Sequence, residues 1–343
     1  MTEDTQISGR KADHILINLR EDVLSSLNTG LEDYQLIHSA LPEFALNAVD
    51  TSLEFLGKRL NAPILISSMT GGTASAGPLN EILAIAAEEF GIALGVGSQR
   101  AAIRHPELRE SFDIRRFAPS SLIFANLGAV QLNDGWGLDE AQAAVDMVQA
   151  DALILHLNPL QEAIQPEGDT DFSALLPKIG RLCRQLPVPV IAKEVGYGIS
   201  GKLARNLVDE GVAVIDVAGA GGTSWSEVER YRLKDPALQA SAARFRGWGI
   251  PTAECLRQMG AEHIQVPVIA SGGLENGIDL AKCLALGAKM GGYARAFLMA
   301  ANAGQEAMNA KVSAILRELR VAMFSCGAQN LSALDTDKLN RKH

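Results

Sequence analysis

The chain reads as a single α/β protein of the (β/α)8 TIM-barrel class, and three observations predict it. Short apolar strands alternate with helical patterns eight times over. The strands are nearly continuous in apolar residues, as in a parallel sheet buried on both faces. Polar residues collect where the strands end, the face at which this architecture gathers its active sites. The strands are expected at 64–69, 92–97, 122–127, 152–158, 190–195, 213–218, 268–271 and 290–294. Helical patterns lie between them at 79–90, 138–149, 201–210 and 277–286, and the last two are followed by Gly211 and Gly287, where left-handed caps belong. A doubly wound sheet is the weaker alternative for the same alternation.

Three regions follow: an N-terminal extension with a short strand pair (1–60), the barrel (61–300), and a C-terminal helix with a polar tail (301–343). In the extension, Arg10-Lys11-Ala12-Asp13-His14 precedes an amphipathic segment at 15–26, and a basic pair so placed is ordinarily a solvated tail. An alternating stretch at 51–55 before Gly57 suggests the strand pair. Between the sixth and seventh strands the chain makes a long excursion, 224–262, of the kind that usually forms a lid or mobile segment. Beyond Ala300, a helix at 306–324 and a polar tail at 335–343 read as structural and solvated.

Composition narrows the function classes. At 343 residues, with 47% hydrophobic and 21% charged, the chain can bury a sizeable core. Lys+Arg 31 against Asp+Glu 40 gives a net charge of -9, which argues against nucleic acid as the main partner. An anionic substrate must therefore be caught by a local cluster of cations. The cysteines Cys183, Cys255, Cys283 and Cys326 have no paired short spacing, and the first nine residues lack an apolar signal core. These features suggest a reducing cytoplasm, no structural zinc and no membrane segment.

The most telling strand end is 152–162, Ala-Leu-Ile-Leu-His-Leu-Asn-Pro-Leu-Gln-Glu. Strand alternation turns His156 and Asn158 to one face, Pro159 stops the ladder, and Gln161 and Glu162 follow in the loop. Together they offer hydrogen bonding, proton transfer and one ligand for a hard cation. Lys193 stands in an otherwise apolar strand, where its ammonium needs either a carboxylate such as Glu194 or an anionic ligand to offset lost hydration. Beside a flavin, such a lysine would stabilise the negative charge of the reduced ring. Gly272-Gly273 and Gly291-Gly292, at the ends of strands seven and eight, have the small residues that let a phosphate approach the main chain.

These residues carry a resemblance. Arg10-Lys11-x-Asp13-His14-Ile15, Ser68-Met69-Thr70-Gly71-Gly72, Gly97-Ser98-Gln99-Arg100, His156-x-Asn158-x-x-Gln161-Glu162, Lys193-Glu194-x-Gly196 and Gly221-Gly222-Thr223-Ser224-Trp225 together resemble the type 2, FMN-dependent isopentenyl-diphosphate isomerases. The likeness runs from Arg10 to about Phe297 and includes Trp248-Gly249-Ile250-Pro251-Thr252 in the excursion.

The resemblance implies an enzyme that uses reduced FMN and Mg²⁺ to interconvert isopentenyl and dimethylallyl diphosphate by a 1,3 proton shift, in isoprenoid biosynthesis. It implies NADPH as the reductant and a homo-oligomer, tetramer or octamer. Ser68, Met69 and Thr70 would lie along the flavin, with Ser98, Asn126, Lys193 and Thr223 as further contacts. Gly272, Gly273, Leu274, Ala294 and Arg295 would surround the FMN phosphate. Arg10, Lys11, Arg100, His156, Asn158 and Gln161 would hold the diphosphate or wall its pocket, and Glu162 would bind the Mg²⁺. On this view Arg10 and Lys11 supply the anion clamp that the acidic chain otherwise lacks. The resemblance further implies that reduced FMN itself would be the acid and base, with His156 and Lys193 in support. The competing expectations are an FMN barrel oxidoreductase of the hydroxy-acid or dihydroorotate type, and a non-catalytic phosphate-binding barrel with no use for Lys193 or Glu162.

Overall fold

Eight parallel strands close into a barrel in simple sequential order: β1 (Ile64–Ile66), β2 (Ala93–Gly95), β3 (Ile123–Gly128), β4 (Ala152–Leu157), β5 (Val190–Glu194), β6 (Val214–Asp216), β7 (Val268–Ser271) and β8 (Met290–Tyr293). The computed structural model describes residues 3–69, 71–72 and 76–342. Closure is made by β8 against β1, with Gly291 opposite Ile64 and Tyr293 opposite Ile66. That closure excludes the doubly wound sheet. The strands are as expected to within a few residues, and the helices Ala76–Phe90, Leu138–Val148, Gly201–Asp209 and Gly277–Ala285 stand where the periodicity put them. Gly211 and Gly287 both take positive φ just past their helices.

Strand alternation sets the inside of the barrel in layers. Leu65, Ala93, Phe124, Ile154, Ile191, Val214, Ile269 and Met290 form one buried apolar cluster. The hairpin Leu53–Phe55/Lys58–Leu60 plugs that end of the barrel, and Phe55 and Leu60 join the cluster. Burying each of these two side chains contributes roughly 2 kcal/mol. Two residues further along each strand, the inward positions become Ser67, Gly95, Asn126, His156, Lys193, Asp216, Ser271 and Gly292. The apolar layer is therefore a floor, and a ring of polar and small residues stands on it at the carboxyl ends of the strands. A second and larger core lies between the barrel's outer face and its helices.

The segments outside the barrel differ from expectation in three places. The N-terminal helix is Glu3–Arg20, beginning earlier and ending sooner than 15–26. It stops because the next residues pair elsewhere: Ser224 N–H donates to Val23 O and Ser25 N–H to Gly222 O, each at 2.7 Å. The excursion after β6 is no loop but three helices, Trp225–Arg232, Pro236–Ala243 and Thr252–Ala261. Asp235 caps the second by accepting from Ala237 N–H at 2.8 Å. The terminal helix Gln305–Ser325 buries Met308, Val312, Ile315, Leu319 and Met323. The polar tail after it is not simply solvated, because Leu339–Arg341 pairs antiparallel with Tyr34–Leu36.

Candidate active site

The polar ring opens into a cavity at the carboxyl face of the barrel. Apart from Thr70, which lies outside the described residues, every expected site residue lines it. The endings of β7 and β8 form one wall. Gly272 and Gly273 have φ of 104° and 76°, and a Cβ at Gly272 would stand 2.0 Å from Gly219 O. Only glycine lets the β6 and β7 endings approach this closely. Ala294 and Arg295 follow β8 at the start of the helix Arg295–Asn302. Ser67 Oγ, Ser68 Oγ and Arg295 Nε are buried without a hydrogen-bond partner among the described residues. Unpaired donors beside an accessible glycine backbone fit a group bearing a phosphate and polar ring edges, as FMN does.

On the opposite side, Asn126, His156 and Lys193 rise from β3, β4 and β5. Lys193 is 7% exposed, and its Nζ donates to the Glu194 carbonyl oxygen at 2.6 Å. It is not paired with the Glu194 carboxylate, which instead accepts the N–H groups of Val195, Gly196 and Tyr197 at 2.7, 2.7 and 2.5 Å. Burial pushes the Glu194 carboxyl up to about 7. Asp216, next to Lys193 in the ladder, accepts from Ser271 Oγ at 2.5 Å, and its Oδ2 has no hydrogen-bond partner among the described residues. Its carboxyl is raised by burial, against the pull of Lys193.

Gln161 and Glu162 are not in a loop but in the first turn of a short helix, Pro159–Ile164, with Pro159 at a position that tolerates its missing N–H. Asn158 Nδ2 donates to Glu162 Oε1 at 2.8 Å and to Gln161 Oε1 at 3.2 Å. Glu162 Oε2 accepts from Gln165 Nε2 at 2.5 Å and from Asp169 N–H at 2.8 Å. Burial raises the Glu162 carboxyl, and Asn158 Oδ1 is buried with no hydrogen-bond partner among the described residues. A buried carboxylate beside an orphaned amide oxygen fits a hard divalent cation. Among the described residues no three His, Cys, Asp or Glu side chains gather to hold a metal alone. Such a cation would draw its other ligands from substrate and water.

The N-terminal helix lies across the mouth. Lys11 is no solvated tail: its Nζ donates to Gly71 O at 2.9 Å and Ser98 O at 2.7 Å. Burial, then Arg10 and Arg100, lower it to about 7. His14 Nε2 stands 2.9 Å from Glu229 Oε1, which also accepts from Gln161 Nε2 at 3.0 Å. Arg232 Nη1 meets Glu229 Oε2 at 2.5 Å. Burial alone would raise Glu229, but His14, Gln161 and Arg232 hold it down at about 2. His14 also packs edge-on against Trp225, ring centroids 5.1 Å apart.

Sequence reasoning missed Ser67, Asp216, Gln131 and Asp169. Ser67 and Asp216 could have been found by counting two residues beyond each apolar inward position, as that count yields Asn126, His156 and Lys193. Gln131 and Asp169 carry no such signal, because only the fold brings Asp169 to Arg100, at 2.5 Å, and Gln131 to Asp169, at 3.4 Å.

Residues 161–341 match the family described as FMN-dependent dehydrogenase. The chain is similar to isopentenyl-diphosphate delta-isomerases: 51% identical over 334 residues to that of Nostoc sp. strain PCC 7120, covering 97% of this chain and 95% of the relative. It is 53% identical over 326 residues to that of Synechocystis sp. strain PCC 6803, covering 95% and 93%. Among solved structures, a lactate oxidase from Pediococcus acidilactici superposes with a TM-score of 0.69 at 16% identity, covering 99% and 93%. A mandelate oxidase with (S)-2-phenylpropionate gives 0.66 at 19%, covering 98% and 97%. Identities this low speak to the shared barrel alone.

Proposed function

As the chain belongs to the isopentenyl-diphosphate delta-isomerase family, we propose that it interconverts isopentenyl and dimethylallyl diphosphate by a 1,3 proton shift, with the diphosphate held through Mg²⁺ on Glu162. It is an FMN-dependent isomerase. The observation that carries the site assignment is the convergence of Arg10, Lys11, Arg100 and Glu162 on one cavity with the glycine loops of β7 and β8.

A proton is added at the terminal alkene carbon and another is removed from the carbon next to the CH₂–O group, so charge and electron count are unchanged overall. The cost is the tertiary carbocation between them. Reduced FMN, when bound, supplies an electron-rich ring that can give and take a proton at its N5. Ser68, Met69, Thr70, Ser98, Asn126, Lys193 and Thr223 would flank that ring, and Gly272, Gly273, Leu274, Ala294 and Arg295 its phosphate. Lys193 places a buried cation where it favours an anionic neighbour. Arg10, Lys11 and Arg100 would hold the diphosphate, His156, Asn158 and Gln161 would wall its pocket, and the N-terminal helix would keep water from the cation. His156 is neutral and Glu229 ionised at neutral pH, so neither is a ready proton donor.

NADPH as reductant and a homo-oligomeric state, tetramer or octamer, belong to the same proposal and rest on family resemblance. Four unpaired cysteines fit a cytoplasmic setting. No helix of the described residues is long and apolar enough to cross a membrane.

The experiment is anaerobic: isopentenyl diphosphate, Mg²⁺ and dithionite-reduced holoenzyme in D₂O, followed by NMR beside the flavin spectrum. Deuterated dimethylallyl diphosphate with the flavin still reduced is expected. Absence of product, with reoxidation by an organic acceptor, would move the assignment to an oxidoreductase.

A further inference from the structure

The turn after the helix Pro159–Ile164 folds back over Glu162. Gly168 N–H donates to Gln165 O at 3.1 Å, and a Cβ at position 168 would stand 1.8 Å from the Glu162 carbonyl oxygen, so only glycine closes the turn here. The closure delivers Asp169 to a point where its two polar groups serve opposite sides of the site. Its backbone N–H holds Glu162 Oε2 at 2.8 Å. Its carboxylate Oδ2 holds Arg100 Nη1 at 2.5 Å and accepts from Gln131 Nε2 at 3.4 Å. Asp134 Oδ2 stands farther from Arg100, at 3.8 Å. The Arg100 and Asp169 side chains are 13% and 28% exposed, so the pair is partly shielded from water.

Resting on the assignment of Glu162 to the metal and Arg100 to the diphosphate, we propose that Asp169 makes this site select the metal-complexed diphosphate over the free anion. Two effects of Asp169 act in the same direction. A free diphosphate meets two carboxylates, Glu162 and Asp169, and finds the charge of Arg100 already partly neutralised. A diphosphate carrying Mg²⁺ offsets those carboxylates with its own cation. In addition, Asp169 sets the spacing between Glu162 and Arg100, so an occupant that presents metal to one and phosphate oxygens to the other meets both already oriented. Selectivity of this kind is a difference between two affinities, and Asp169 works on the unwanted one.

The test is calorimetric, on the FMN-loaded protein, with inorganic pyrophosphate as the probe. Affinities are measured in excess Mg²⁺ and in EDTA for the unchanged protein, Asp169→Asn and Glu162→Gln. Asparagine at 169 keeps the N–H on Glu162 and the side-chain shape while removing the charge. The expected result is that Asp169→Asn lowers the Mg²⁺ preference by about tenfold, chiefly because metal-free pyrophosphate binds more tightly, a size in keeping with close charge pairs at binding sites. Asp169→Ala, as a second variant, should lower the same ratio. A purely structural role would move both affinities together and leave the ratio unchanged, and that result overturns the proposal. If the ratio holds in the Asp169 variants while Glu162→Gln abolishes the Mg²⁺ preference, the metal assignment stands and the Asp169 inference falls. If the unchanged protein shows no Mg²⁺ preference, or Glu162→Gln retains it in full, the metal assignment fails and takes this inference with it.

Discussion

His156 Nδ1 stands 2.8 Å from Asn126 Oδ1, and Asn126 is itself oriented because its Nδ2 donates to Val96 O at 3.0 Å. With the amide nitrogen committed as a donor, its oxygen must accept. His156 therefore carries its proton on Nδ1 and leaves a lone pair on Nε2. Burial first, then Lys193, Lys11, Arg10 and Arg100, push its pKa down to about 3. Nitrogen-15 NMR should show the Nδ1–H tautomer unchanged from pH 8 to pH 5, and a ring that titrates near its ordinary value would contradict the geometry. The folded value lies below the unfolded one of 6.5, so the neutral ring's contribution to stability is full above pH 6.5 and lost as pH falls toward 3. Urea denaturation of His156→Gln should therefore show a shallower decline over that window.

Lys11 has the same sign of shift in a different range. Its folded value of about 7 leaves it mostly neutral at pH 8, but an anion seated among Lys11, Arg10 and Arg100 favours the charged form. Pyrophosphate binding at pH 8 should accordingly take up close to one proton, read from calorimetry in buffers of different ionisation enthalpy. Uptake should vanish below pH 6 and in Lys11→Met. Equal uptake in that variant would assign the proton elsewhere.

Gly272→Ala tests the phosphate wall. Its φ of 104° and the 2.0 Å approach to Gly219 O leave no room for a methyl group. The backbone strain alone costs about 1–3 kcal/mol. Lower FMN content after purification and an earlier urea midpoint are expected, and full retention of both would show that the wall gives way.

Glu229→Ala tests how the N-terminal helix is fastened. Removing the carboxylate takes partners from His14, Gln161 and Arg232, although Arg232 keeps Glu167 at 2.6 Å. Breaking a buried pair of this kind costs about 3 kcal/mol. Limited proteolysis should cut the N-terminal helix faster in this variant, while Glu229→Gln should sit between the two.

The barrel was legible in the sequence because a strand buried on both faces must be apolar nearly throughout, and that demand acts on contiguous residues such as 152–155. The strand-end chemistry was legible for a related reason: Asn126, His156 and Lys193 break an apolar run, and a polar side chain inside a core needs a purpose. Tertiary structure alone decided the rest. The helical form of the excursion was missed because its pattern is polar and packs on the site, as Glu229 does under Gln161. The tail's pairing with Tyr34–Leu36 depends on residues some three hundred positions away. Lys11 became part of the cavity only when closure brought Gly71 and Ser98 within its reach, 60 and 87 residues along the chain. Asp169 met Arg100 in the same way. Local periodicity reports which residues must be buried, whereas which buried polar groups meet is set by contacts across the closed sheet, and spacing along the chain does not encode them.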